Sequence, residues 1–172
     1  VAGLPARALH ALGLPGADID VIRSVKRPVK DIDYGYVGDV ERVDARLLGD
    51  LIARGVVPVM APLTHDGAGN LLNTNADTIA SETARALAAR FDVTLVYCFE
   101  KKGVLRDPDD EDSVIPSLNR RSFEALTADG TIAGGMIPKI ENALAAIEAG
   151  VKRVIITRAD AIDGHSGTLI QA

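Results

Sequence analysis

Tryptophan is missing from this 172-residue chain, and its only aromatic residues are three tyrosines and three phenylalanines. With so few rings on which to stack bases, and a net charge of −5 that gives no basic field for phosphates, nucleic-acid binding is excluded as a function class. A small anionic ligand held by a few local cations stays open. Cysteine occurs once, as Cys98, so no intramolecular disulfide can form and a reducing compartment is consistent. Its place inside the apolar run "VTLVYCF" predicts a core residue rather than a reactive thiol. No apolar run approaches the roughly 20 residues of a membrane helix, and no charged-then-apolar leader opens the chain, so a cytoplasmic protein with no membrane partner is expected. The first residue is Val rather than Met, which points to a processed or truncated product. His10, His65 and His165 lie far apart without ligand spacing; no protein-held metal is expected, and each reads as a surface residue. Neither a Gly-x-Ser-x-Gly elbow nor a G-x-x-x-x-G-K-[ST] phosphate loop occurs.

What is there is an ordinary globular composition, 47% hydrophobic and 25% charged, enough for one core and hence a single domain over residues 1–172. Two β-like stretches, "DIDVIRSVKR" and "YGYVGDVERV", open as a hairpin or ribbon around "PVKDID". A helix follows in "VDARLLGDLIARG", with Asp44 as cap, Leu47, Leu48, Leu51 and Ile52 as its buried stripe and Gly55 at its end. "VVPVMAP" and "DVTLVYCF" are continuously apolar, the mark of strands covered on both faces. Between them lies the helix "TIASETARALAAR", with Ile79, Ala80, Ala84, Leu87 and Ala88 on one face. After a charged loop, in which the acidic cluster 107–112 reads as solvated, come a short helix at "RRSFEALTADG" and a longer one in "TIAGGMIPKIENALAAIEAG". In the longer helix Ile137, Ile140, Leu144 and Ile147 share a face. "VKRVIITR" and "GTLIQA" supply the last strands. Strands alternating with helices imply an α/β sheet, parallel or mostly so.

Ligands of open α/β sheets bind beyond the carboxyl ends of strands, in the loops that lead into helices. Two places qualify. In "LLNTNADTIA", Asn73, Asn75 and Asp77 alternate where a helix begins; helix capping accounts for one of them and leaves two polar side chains in need of partners. In "AGGMIPK", Gly134 and Gly135 let an anion approach the backbone N–H groups of a helix N-terminus. Lys139 adds a full positive charge at an end where a cation is electrostatically misplaced unless an anion joins it. A solvated surface lysine after a turn is the plain alternative.

"NTNADTIA", "GVLRDP" and "IAGGMIPKI", in that order, resemble the acetylglutamate kinase family within the amino acid kinase superfamily, and "YGYVGDVERVD" and "GVVPVMAPLTHDGAGN" are similar to the segments that precede the Asn-x-Asn-Ala-Asp motif there. The resemblance implies a three-layer α/β/α sandwich with a mainly parallel central sheet, here N-terminally incomplete, because the family's leading segment with a Lys-x-Gly-Gly turn has no counterpart. It implies phosphoryl transfer from ATP, carried with Mg²⁺, to the side-chain carboxylate of an N-acylated glutamate. By motif, Asn73 binds the acylglutamate, Asp77 organises catalytic lysines, Lys139 stabilises the transferring phosphoryl, Gly134, Gly135 and Met136 line the nucleotide phosphates, and the loop with Glu100 and Gly103 lies by the nucleoside. Where many members carry Thr-Asp before the Gly-Val-Leu loop, this chain has Phe99 and Glu100. The family also implies a homodimer. The acyl group, acetyl or succinyl, stays open. The rival readings are another kinase of the superfamily and a non-catalytic nucleotide-binding domain.

Overall fold

The structure is a computed structural model that describes residues 3, 4 and 7–172. The chain is an α/β protein whose described residues cluster into two compact units, Val1–Arg90 and Phe91–Ala172. Of the seven strand pairings found among the described residues, four are parallel and three antiparallel. Parallel pairing therefore predominates, as expected from the alternation of strands and helices.

In the first unit, β1 (His10–Pro15) pairs in parallel with β4 (Val56–Ala61). A second sheet has the order β3 (Gly38–Val43), β2 (Ile22–Lys26), β5 (Leu63–His65), β6 (Leu71–Asn73). The expected hairpin is the antiparallel β2–β3 pair. Helix α1 (Ala45–Ala53) starts where Asp44 accepts a hydrogen bond from the Leu47 N–H at 2.8 Å, and Gly55 follows it at φ 75°. Leu14, Val21, Ile22, Leu48 and Ile79 form the core of this unit, with Val40, Val43, Leu47, Leu51, Met60 and Leu87 packed on it. Helix α2 (Ala76–Ala88) contributes Ile79, Ser81 and Ala84 as buried residues.

Two expectations fail here. Ile52, read as part of the α1 stripe, is 39% exposed. It lies at the margin of a stripe whose centre, Leu48 and Leu51, already faces the core. Strand β4 is not covered on both faces: Val57 and Val59 stay exposed while their neighbours are half-buried, the period-two pattern of a strand packed on one side.

In the second unit the sheet order is β7 (Thr94–Phe99), β9 (Arg153–Arg158), β10 (Thr168–Ile170), β8 (Ser117–Leu118). Strand β9 is covered on both faces, with Val154 to Thr157 all buried. Helix α3 (Arg120–Ala128) begins in a reciprocal cap: Asn119 Oδ1 accepts from the Ser122 N–H, and Ser122 Oγ from the Asn119 N–H, both at 2.9 Å. Helix α4 (Met136–Glu148) buries Ile140, Ala143, Leu144 and Ala146 and packs on β9 and β10, while Ile137 and Ile147 flank the stripe half-buried. Cys98 is exposed, against the expectation of a core thiol. Alternation along β7 turns Leu95 and Tyr97 inward and puts Cys98 on the less covered face with Thr94 and Val96.

Candidate functional site

The polar triplet separates into three roles. Asn75 is the N-cap of α2: its Oδ1 accepts from the Asp77 N–H at 2.8 Å and the Thr78 N–H at 3.2 Å. Asp77 sits half-buried in the first turn, where a carboxylate complements the helix dipole. Asn73 ends β6, exposed, its backbone N–H bonded to the Tyr36 carbonyl at 2.8 Å. Thr74 staples that strand end to the interior. Its hydroxyl lies 3.0 Å from that of Thr64 and donates to the Gly38 carbonyl, so Thr74 points in and Asn73 out.

A polar cluster that was not predicted as a site lies on the sheet whose strand β6 ends at Asn73. The Asp20 carboxylate accepts hydrogen bonds from Arg42 at 2.6 Å, from Arg23 at 2.9 Å and from His65 Nε2 at 2.7 Å. Strand pairing assembles it, since Arg23 lies opposite Arg42 on one side and His65 on the other. Partial burial pulls the Asp20 carboxyl up, but the His65 hydrogen bond and the two guanidinium charges outweigh it and hold the group below the usual carboxylate range. The Gly67 N–H donates to His65 Nδ1 at 3.1 Å, which assigns the ring proton to Nε2. His65 is thus a structural hydrogen-bonding residue, 18% exposed, rather than a surface histidine.

In the second unit, the residues after β7 and those before α4 face one another across a cavity of about 330 Å³. Residues 101, 103–106 and 108 line one side; residues 130–133 and Met136 line the other. Of the predicted residues, Gly103 and Met136 belong to this lining, while Glu100 is exposed beside it. A Cβ on Gly103 would fall 2.9 Å from Thr168 Oγ1 and 2.9 Å from a Val114 methyl, so only glycine lets the loop pass so close to β10. Thr168 is fully buried; it accepts from the Val104 N–H at 2.9 Å and donates to the Ile115 carbonyl at 2.7 Å, fixing the loop that walls the cavity. Lys102, paired with Asp112 at 2.9 Å, and Lys101, donating to the Pro108 carbonyl, fold the acidic segment 107–112 back over its own base.

Helix α4 opens at this cavity. Gly135 is its N-cap and provides no side-chain cap; Gly134 adopts φ 58°, a left-handed conformation that favours glycine. A Cβ built on either would meet nothing within 4 Å, so the backbone here is open to an approaching group. The half-buried Lys139 lies one turn in, its ammonium 3.5 Å from the centroid of the Phe99 ring. No motif announces Thr168 or the Phe99 contact. A helix N-terminus without a side-chain cap, a cation and an apolar-walled cavity together suit a ligand with an anionic end and a flat apolar end.

A model of the amino acid kinase family matches residues 1–158. The chain belongs to the amino acid kinase family. It is 71% identical over 171 residues to the acetylglutamate kinase of Bacteroides thetaiotaomicron, covering 99% of this chain and 66% of that one. The chain therefore spans just under two thirds of that relative's length. Of solved structures, a Streptococcus mutans UA159 protein, smu.665, superposes with a TM-score of 0.80 at 30% identity over 99% of this chain and 64% of that one. The N-acetylglutamate synthase of Neisseria gonorrhoeae, complexed with coenzyme A and N-acetyl-glutamate, gives 0.82 at 25% identity over 99% of this chain and 40% of that one. Among the described residues no helix is long and apolar enough to cross a membrane.

Proposed function

We propose that this amino acid kinase chain is the nucleotide-side part of an acetylglutamate kinase, which transfers the γ-phosphoryl group of Mg-ATP to the side-chain carboxylate of N-acetyl-L-glutamate in arginine biosynthesis. The observation that carries the reading is the cavity of the second unit, lined by Ala133 and Met136 on either side of the glycine pair that opens α4, with Lys139 one turn further along that helix. The name and 71% identity of the Bacteroides relative support it.

In this reading the cavity takes the adenosine, with Met136 and residues 103–105 as apolar walls, Glu100 at its rim, and the peptide N–H groups around Gly134 and Gly135 facing the phosphates. A carboxylate oxygen of the substrate forms the new bond to the γ-phosphorus, the bond from that phosphorus to the bridging oxygen breaks, and ADP carries away the electron pair. Such a transfer asks the protein for alignment and for positive charge where negative charge spreads. Lys139 supplies that charge; Mg²⁺ arrives with the nucleotide as part of the substrate. Asn73 holds the acylglutamate and Asp77 orders the cationic groups.

The test uses the protein at the full length of its relatives, incubated with Mg-ATP, hydroxylamine and either N-acetylglutamate or N-succinylglutamate. A hydroxamate formed with N-acetylglutamate is expected. Hydroxamate from the succinyl compound alone would move the assignment to that substrate, and none from either, with Mg-ATP bound, would overturn kinase activity in favour of nucleotide binding alone.

A further inference from the structure

We propose that Phe99 is a positioning residue for Lys139, holding its ammonium group on the face of the ring so that the charge is fixed at the mouth of the α4 turn without being neutralised; this rests on the kinase reading given above. The geometry is close: the ammonium nitrogen is 3.5 Å from the ring centroid, well within the roughly 6 Å at which a cation is held by the ring quadrupole. The ring is itself fixed. It ends β7, half-buried, and lies 6.0 Å from the ring of buried Tyr97, the two planes inclined by 14°. The ring is the one partner found for Lys139 among the described residues of its own unit.

The choice of an aromatic partner has a consequence for phosphoryl chemistry. A carboxylate in the ring's place would hold the lysine by a charge-assisted hydrogen bond, and would both compete with the phosphates for its protons and repel them. A ring face attracts the cation from one side and leaves the outward N–H donors and the whole charge available. It also limits the rotamers of a long side chain that would otherwise have to be ordered when a ligand arrives. Phe99 thus prepares the lysine for an anion.

Two measurements test this. In the first, the chain is reductively methylated with ¹³C-formaldehyde, which keeps every lysine charged, and its methyl resonances are recorded. Lys139 is assigned by its loss in Lys139→Arg. Its methyl signal is expected upfield of the other lysines, because it lies over the ring, and expected to fall among them in Phe99→Leu. In the second, Phe99→Leu and Phe99→Tyr are assayed in the full-length protein. Phe99→Leu should lower kcat/KM for Mg-ATP about two- to thirty-fold, the range that 0.5–2 kcal/mol converts to at 1.4 kcal/mol per tenfold, with KM for the acylglutamate unchanged. Phe99→Tyr, which keeps the ring, should restore the wild-type value. A Lys139 signal without an upfield shift overturns the proposal whatever the activity, as does a tyrosine variant no better than leucine. If no phosphoryl transfer occurs in the wild type, the kinase reading fails while the resonance position still decides whether the ring holds the lysine.

Discussion

Thr168→Val tests whether one buried hydroxyl holds the cavity wall in place. Valine matches threonine in volume but neither donates nor accepts. The substitution strands the Val104 N–H, now bonded at 2.9 Å, and the Ile115 carbonyl, now bonded at 2.7 Å, in a position with no solvent exposure. Each stranded buried group costs about 1–3 kcal/mol. The added methyl recovers at most about 0.8 kcal/mol by burial, and less here because it must sit where the oxygen was, closer to both groups than carbon tolerates. The two stranded groups together, less the methyl, give an expected loss of about 1–5 kcal/mol. Urea unfolding followed by far-UV circular dichroism reads it, since the chain has no tryptophan to report. Thr168→Ser is the control: it keeps both hydrogen bonds, removes one methyl and should cost about 0.5–1.5 kcal/mol, the range of a buried single-methyl deletion. A valine variant as stable as the serine variant would refute the reasoning. Because residues 103–105 form part of the cavity wall, the valine variant should also bind Mg-ADP more weakly than the serine variant, as measured by calorimetry.

Asn75→Ala should destabilise the protein by about 1 kcal/mol through loss of the α2 cap, whereas Asn73→Ala should leave the urea midpoint unchanged and raise KM for the acylglutamate more than for ATP. Lys139→Ala in the full-length enzyme should reduce kcat on the order of a hundredfold or more, because a cation on the moving phosphoryl is worth most in the transition state; an unchanged kcat would remove it from the catalytic machinery. Asp163 accepts from the Ser166 hydroxyl, the Ser166 N–H and the His165 N–H, which together hold its carboxyl well below the usual range. A folded-state value below the unfolded one of about 3.9 contributes stability that is fully present above that pH and is lost as pH falls through the folded value. The advantage of wild type over Asp163→Asn should therefore begin to shrink below about pH 4 and be partly lost by about pH 2.5, and a constant difference between about pH 5 and 2.5 would contradict the assignment.

Much of the site was legible because its signals are local. The Asp44 cap follows from a short polar side chain bonding an N–H group three residues ahead, and the α4 stripe follows from helical spacing. The open glycine turn before Lys139 is likewise a property of six consecutive residues. The triplet at residues 73–77 was legible only as a group; which asparagine caps was decided by where β6 ends and α2 begins.

Burial was harder to read. "VVPVMAP", "VTLVYCF" and "VKRVIITR" are alike as strings, yet β9 is enclosed on both faces while β4 shows Val57 and Val59 and β7 shows Cys98. Apolar composition states what a strand tolerates, whereas its neighbours in the sheet and the helices laid over it decide which face is covered.

The sequence by itself determined, among the described residues, the four α-helices, six of the ten strands in their order, the Asp44 cap and the clustering of glycines with a cation before α4, since each depends on residues within a turn or two of one another, while the strands β1, β5, β6 and β8 were not read from it. Only the tertiary structure decided that Asp20 gathers His65 across 45 residues, that Thr168 reaches 64 residues back to hold the loop at Val104, and that Phe99 lies under Lys139. Those contacts are set by strand order and register, in which a shift of one residue turns every side chain to the opposite face, and no local preference of the chain encodes them.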